Sequence, residues 1–168
     1  VAYAVSEITD SQQNKTQSRL WLVPSDGSMS PRQLTNGTAK DTNPKWSPDG
    51  RWILFESTRS GSSQLWVINP AGGEARQLTK VSTDAANANW SPDGRVLVYA
   101  RINGNAQEIY AFFFKTDGSI DSSISPNPKR LFSSSGNWDN NPSFSPSGTN
   151  LIWDRREDNN GGGIDTTD

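Results

Sequence analysis

Trp46-Ser47-Pro48-Asp49-Gly50 returns as Trp90-Ser91-Pro92-Asp93-Gly94, 44 residues further on, and returns again, altered, as Phe144-Ser145-Pro146-Ser147-Gly148. A second string keeps the same interval: Arg32-Gln33-Leu34-Thr35 recurs unchanged as Arg76-Gln77-Leu78-Thr79, with Lys129-Arg130-Leu131-Phe132 as its third copy. Leu20-Trp21, Leu65-Trp66 and Ile109-Tyr110 mark a third equivalent position. An internal period of this length is a stronger guide to architecture than any local propensity. The third interval is 54 residues, and most of the excess lies at 119–128, between two strand-like runs rather than within one. The spacing predicts that this insertion protrudes as a loop.

Within one copy the pattern predicts four short strands, a to d. Strand a spans about Asn43 to Ser47 and ends in the tight turn Ser47-Pro48-Asp49-Gly50. Proline presets φ at the second turn position, Asp suits the third, and Gly accepts a positive φ at the last. Asp49, Gly50, Asp93, Gly94 and Gly148 are therefore read as structural turn residues. Strand b, Trp52 to Ser57, is a continuous β-rich run, as a strand covered on both faces requires. Strand c, Gln64 to Asn69, leads into Pro70-Ala71-Gly72-Gly73, a hairpin signal. Strand d, Ala75 to Leu78, is short and polar and suits an outer edge. No helical period of useful length is found.

Four-stranded units repeating at this interval predict an all-β fold, a β-propeller of four-stranded antiparallel blades. About three and a half blades are counted. Residues 1–41 form a partial blade of strands b, c and d. Residues 42–84 form a blade, 85–139 a blade with the insertion at 119–128, and 140–168 a partial blade with a loose C-terminal tail. The arc leaves aromatic and aliphatic strands at both ends, with Val1, Tyr3 and Val5 at one and Leu151, Ile152 and Trp153 at the other. The expectation is that further blades, of the same polypeptide or of another chain, cover them. Closure of the last residues on the first as a small distorted ring is the third option.

Composition excludes several functions. The 168 residues contain no His and no Cys, so neither a Ser-His-Asp triad nor a thiolate metal site can be built within them. The net charge of −2 gives no nucleic-acid footprint. The longest apolar run, Ile109 to Phe114, is far short of the roughly 20 residues of a membrane helix.

Pro44-Lys45-Trp46-Ser47-Pro48-Asp49-Gly50, then Leu65-Trp66-Val67, then Gly72-Gly73 and Leu78-Thr79 resemble the TolB-type propeller repeat. The resemblance covers about residues 1 to 154. That repeat occurs in TolB-like periplasmic proteins and in the N-terminal propellers of prolyl oligopeptidase-family serine peptidases. The opening Val1-Ala2-Tyr3 and Arg19-Leu20-Trp21-Leu22-Val23-Pro24 look more like the peptidase propellers. No Gly-x-Ser-x-Gly elbow is present, so no catalytic residue transfers. The resemblance implies a non-enzymatic module binding a protein or peptide in an extracytoplasmic compartment, periplasmic or secreted, with a cytoplasmic location also open. The alternatives are the substrate-gating propeller of a hydrolase whose catalytic domain lies elsewhere, and a self-assembling structural protein.

In a propeller the b–c and d–a connections share one end. Here that end gathers Arg59, Arg101, Arg155, Asp84 and Asp139. Trp138, in the d–a loop Gly136-Asn137-Trp138-Asp139-Asn140-Asn141, is expected as a loop aromatic among polar groups. These six are the expected partner-binding residues. The remaining tryptophans fall at repeat-equivalent strand positions and are expected in the core between blades. Asp154, Asp158 and Asp165 do not match the spacing of a calcium loop, and neither a metal nor another cofactor is expected. Asn14-Lys15-Thr16 and Asn36-Gly37-Thr38 match the glycosylation sequon, which matters only in a secreted eukaryotic protein.

Overall fold

The computed structural model describes residues 1–10, 15–103, 106–124, 127–132 and 137–157. Every regular element among them is a strand: β1 (Ala2–Asp10), β2 (Lys15–Leu22), β3 (Arg32–Gln33), β4 (Asp41–Trp46), β5 (Ile53–Ser60), β6 (Ser62–Ile68), β7 (Arg76–Gln77), β8 (Ala85–Trp90), β9 (Val96–Asn103), β10 (Ala106–Phe113), β11 (Lys129–Phe132), β12 (Asn137–Phe144) and β13 (Leu151–Glu157). The order β4-β5-β6-β7 is one complete four-stranded blade. β1-β2-β3 is a blade without its a strand, and β8-β9-β10-β11 is the third blade. β12 and β13 form the a and b strands of a fourth, joined to the third by a single parallel pair, Gln107 with Trp138. The fold is the all-β propeller arc that the repeat predicts.

The apolar run Ile53-Leu54-Phe55 shows why strand b cannot alternate apolar with polar. Successive side chains point to opposite faces of a strand. Ile53 and Phe55 pack with Leu20 and Ile68 against the first blade. Leu54 packs with Leu65 and Val67 against Ala85, Leu97, Tyr99, Phe112 and Phe114 of the third. Both faces are core, and each fully buried large side chain contributes roughly 1.5–3 kcal/mol. Trp52 and Trp90 pack against this second cluster. Trp46 departs from the expectation for the tryptophans: it is 40% exposed, because only Val1, Leu22, Met29 and their neighbours line its side of the first interface.

The two repeated strings have structural explanations. In the first turn the Ser47 hydroxyl donates to Asp49 at 2.6 Å and accepts from the Trp52 amide at 3.0 Å, while the Arg51 amide donates to Asp49 at 3.0 Å. Ser91, Asp93, Arg95 and Val96 repeat these bonds at 2.6, 3.0 and 2.8 Å. Gly50, Gly94 and Gly148 have φ of 70°, 71° and 74°. In the other string, the Thr35 and Thr79 hydroxyls accept from the Leu20 and Leu65 amides at 3.0 and 2.8 Å, tying each d strand to its c strand.

Strand ends differ from the sequence expectation in one direction. β1 reaches Asp10, β5 reaches Ser60, β9 reaches Asn103 and β12 begins at Asn137, all inside segments expected as connections. Antiparallel pairing continues past the apolar core because polar partners replace apolar ones, as where Arg19 bonds Glu7 at 3.1 Å and Ser6 bonds Ser18 at 2.8 Å. The last partial blade therefore starts before residue 140. The expected tail at 158–168 lies outside the described residues, as do Asn14, Asp158 and Asp165.

The insertion between β10 and β11 contains no strand among its described residues, yet it does not project freely. Asn127 accepts from the Phe113 amide at 3.2 Å and donates to the Phe113 carbonyl at 3.0 Å, and the Asp121 amide donates to the same carbonyl at 2.9 Å. The loop folds back on the end of β10.

Candidate interaction face

The end of the arc that carries the b–c and d–a connections is built on extended polar strand pairs. Three of the expected binding residues are held in ion pairs there. The Asp139 carboxylate is fully buried and takes both Nε and Nη2 of Arg155, at 2.7 and 3.0 Å. Asp41, 1% exposed, takes Arg59 Nη2 at 2.7 Å and the Ser57 hydroxyl at 2.5 Å. The Arg59 guanidinium also covers the rings of Phe55 and Trp66, at 5.2 and 5.0 Å. Asp84 accepts from the Ser63 amide at 2.8 Å, which ties the connection leading into β8 to the start of β6. These groups brace the face.

Trp138 stands in strand β12 and not in a loop, because Asn137–Asn140 pair with Asp154–Glu157 and put Trp138 opposite Arg156. The residue is nevertheless 36% exposed. It lines a cleft of about 520 Å³ with Gln107, Asn140, Asn141, Asp154, Arg155 and Arg156. Trp138, Arg155 and the polar side chains between them therefore share one concave surface. Arg101 lies on strand β9, separated from β12 by β10, with its guanidinium 5.4 Å from the ring centre of Tyr110.

Beneath the face, the inner strands are joined from blade to blade. Asn43, Asn87 and Asn141 occupy equivalent positions with φ of 51°, 55° and 49°, each at a break in the a–b register. Asn tolerates this left-handed conformation better than other residues bearing a Cβ. The Asn87 amide donates to Glu56 at 2.7 Å and its side chain donates to Asn140 at 2.6 Å. Lys45 donates to Asn89 at 2.6 Å, and Asn89 donates to the Pro142 carbonyl at 2.8 Å. An Asn three residues before each Trp or Phe was visible in the sequence but has no meaning until the bulge is seen.

At the opposite end, a smaller cleft of about 190 Å³ lies between the second and third blades, lined in part by Trp52, Trp90, Arg76 and Lys115. The carboxyl of Asp49 is held down to about 2, first by the Ser47 hydroxyl and then by Arg51. The Ser91 hydroxyl depresses Asp93 in the same way. Among the described residues no cluster of three or more His, Cys, Asp or Glu is placed to hold a metal ion, and no helix is long and apolar enough to cross a membrane.

Radial four-stranded blades carrying a Ser-Pro-Asp-Gly turn between strands a and b define a propeller of the TolB class. The TolB beta propeller domain family matches residues 6–165, and the chain belongs to it. Among curated relatives, the uncharacterized peptidase YuxL of Bacillus subtilis is 36% identical over 77 residues, 44% of this chain and 11% of that protein. The Tol-Pal system protein TolB of Bordetella pertussis is 38% identical over 58 residues, 34% of this chain and 13% of that protein. The chain thus spans about an eighth of the length of the curated relatives it matches. A TolB-type structure from Agrobacterium tumefaciens superposes with a TM-score of 0.58 at 21% identity, covering 92% of this chain and 54% of that one. TolB from Acinetobacter baumannii gives 0.56 at 24%, covering 80% and 31%. At these identities the likeness speaks to the fold.

Proposed function

We propose that the chain is a non-catalytic interaction module that binds a protein or peptide through the end bearing Trp138. The cleft shared by Trp138, Arg155 and Arg156 carries this reading: it is concave and polar, and it exposes a large aromatic ring, the residue type enriched at interface hot spots. The pairs Asp139–Arg155 and Asp41–Arg59, each built on a buried carboxylate, hold the surface rigid, which lowers the ordering cost of association. An extracytoplasmic location accords with the kinship to TolB. The edge strands β1 and β13 are the seats for further blades, of the same polypeptide or of another chain.

A photo-crosslinking residue at Trp138 tests the reading against one at Thr116 on the opposite end. A discrete adduct is expected from position 138, and it should disappear when Arg156 is changed to Ala. Equal adducts from both ends would contradict it.

A second reading is the gating propeller of a prolyl oligopeptidase-type hydrolase. The matches to YuxL and to dipeptidyl-peptidase 5 of Porphyromonas endodontalis, the latter 39% identical over 72 residues, favour it. Finding a downstream Gly-x-Ser-x-Gly hydrolase domain in the same polypeptide would decide for it.

A further inference from the structure

Comparison of the blades shows one missing group. The a–b register sets Asp41 opposite Ser57, Asp139 opposite Arg155, and Ala85 opposite Arg101. In the second and fourth blades a buried carboxylate at the first position is clasped by an arginine, Arg59 or Arg155. In the third blade the arginine remains and the carboxylate is replaced by Ala85, itself fully buried.

The arginine has the position of Arg155, and Arg59 reaches its carboxylate from two residues further along strand b, since Ser57 stands at the corresponding place in the second blade. The Arg101 guanidinium stacks on Tyr110 at 5.4 Å, as Arg59 stacks at 5.0 Å on Trp66, the equivalent position of strand c. The Nε of Arg101 is buried and has no hydrogen-bond partner among the described residues. The hydroxyl of Tyr99, a fully buried residue two positions earlier on the same strand face, also lacks one. Glu108, directly across the β9–β10 pair from Arg101, is engaged by Arg130 at 3.1 Å and by the Tyr110 hydroxyl at 3.3 Å. Arg101 as a residue is partly exposed although its Nε is buried. A buried donor without an acceptor is costly, and a charged one more so.

We propose that Arg101 is the seat for an external carboxylate, an acidic side chain of the bound protein, which completes in trans the pair that Asp41 and Asp139 complete within the chain. The planar guanidinium fork matches a carboxylate in two bonds, as Arg155 does with Asp139. This rests on the reading of the same end as the interaction face and names the chemistry of what reaches it.

The test uses sodium acetate as probe, with sodium chloride at matched ionic strength and inorganic phosphate as comparisons. The readouts are the Arg101 Nε–Hε resonance and the Tyr110 amide in nitrogen-15 spectra of the full chain. Acetate should give a saturable shift that chloride does not give and that phosphate gives more weakly. Arg101→Gln should weaken acetate binding, read at Tyr110, by roughly tenfold or more, the worth of a charge-assisted bond. Ala85→Asp supplies the carboxylate internally and should abolish the response; if that variant does not fold, Arg101→Gln decides alone. Equal shifts with acetate and chloride, tighter phosphate binding, or an undiminished response in Arg101→Gln would overturn the proposal. Loss of the acetate response with crosslinking at position 138 intact would sink this seat and leave the interaction reading standing.

Discussion

Gly148 rests against Pro92: a Cβ built on Gly148 would meet the proline Cδ at 3.3 Å. Gly94 stands in the same relation to Pro48, at 3.6 Å. Each turn therefore lies on the proline of the turn one blade earlier, and the Pro-Asp-Gly spacing serves the stacking of blades as well as the local bend. Gly50, whose predecessor blade lacks this turn, has open space where its Cβ would be.

That difference ranks three substitutions. Gly50→Ala should cost about 1–2 kcal/mol from its positive φ alone. Gly148→Ala should cost more, since the proline ring must also give way at 3.3 Å, whereas Gly94→Ala should resemble Gly50→Ala because 3.6 Å is an ordinary contact. Urea denaturation midpoints of the three variants give the order. A Gly50 variant as damaged as the Gly148 variant would contradict the stacking argument.

The Asp41–Arg59 pair should respond unequally to loss of either partner. Arg59→Met leaves a carboxylate that is 1% exposed with only Ser57 to bond it. A stranded buried charge costs about 3–5 kcal/mol. Asp41→Ala leaves a guanidinium that is partly exposed and still stacked on two rings, so it should cost clearly less. Equal losses in denaturation would show that Asp41 is better solvated than its burial implies.

The turn carboxylates set an acid limit. The Asp49 carboxyl is lowered from 3.8 to about 2 in the folded chain. Its contribution is complete above the unfolded value and is lost as pH falls through the folded one. Stability should therefore drop between about pH 4 and 2. Ser47→Ala removes the principal cause and should move the Asp49 titration, followed by carboxyl carbon-13 shifts, back toward the ordinary value. An unchanged titration would rule the hydroxyl out as the cause.

The left-handed asparagines predict a substitution pattern opposite to ordinary strand propensity. Asn43→Gly should be close to neutral, because Gly adopts φ of 51° freely. Asn43→Val, though β-favouring, should destabilise by about 1–3 kcal/mol. Thermal midpoints decide, and a neutral valine would mean the bulge relaxes.

The blades were legible because their punctuation is local: Pro48, Asp49 and Gly50 each meet a backbone requirement that no distant residue can supply. Strand length was less legible. Asn137 and Trp138 look like a loop by composition and become strand only because Asp154 to Glu157 lie alongside. The ion pairs needed register as well, since nothing in Asp139 and Arg155 taken singly marks one as buried and the other as its clasp. The substitution of Ala85 for the aspartate was present in the repeat alignment, five residues before Trp90, and gains meaning only once Asp41 and Asp139 are seen to be paired. Of the expected binding residues, Trp138 and Arg155 share a cleft, while Arg59, Asp84, Asp139 and Arg155 itself are committed to bonds within the chain.

The b strands of the arc are buried within it and open at its ends. Strands β1 and β13 are sheet edges, whereas β5 and β9 are paired on both sides. Val5 and Ile152 are 37% and 69% exposed. Amide hydrogen exchange on the 168-residue chain tests this directly. Protection should be highest in Ile53–Ser57 and Leu97–Arg101, with alternate amides of Ala2–Glu7 and Leu151–Arg156 exchanging far faster. Uniform protection of β1 and β13 at the level of β5 and β9 in the monomer would mean that the two ends pair with each other in a closed ring, and would contradict the arc.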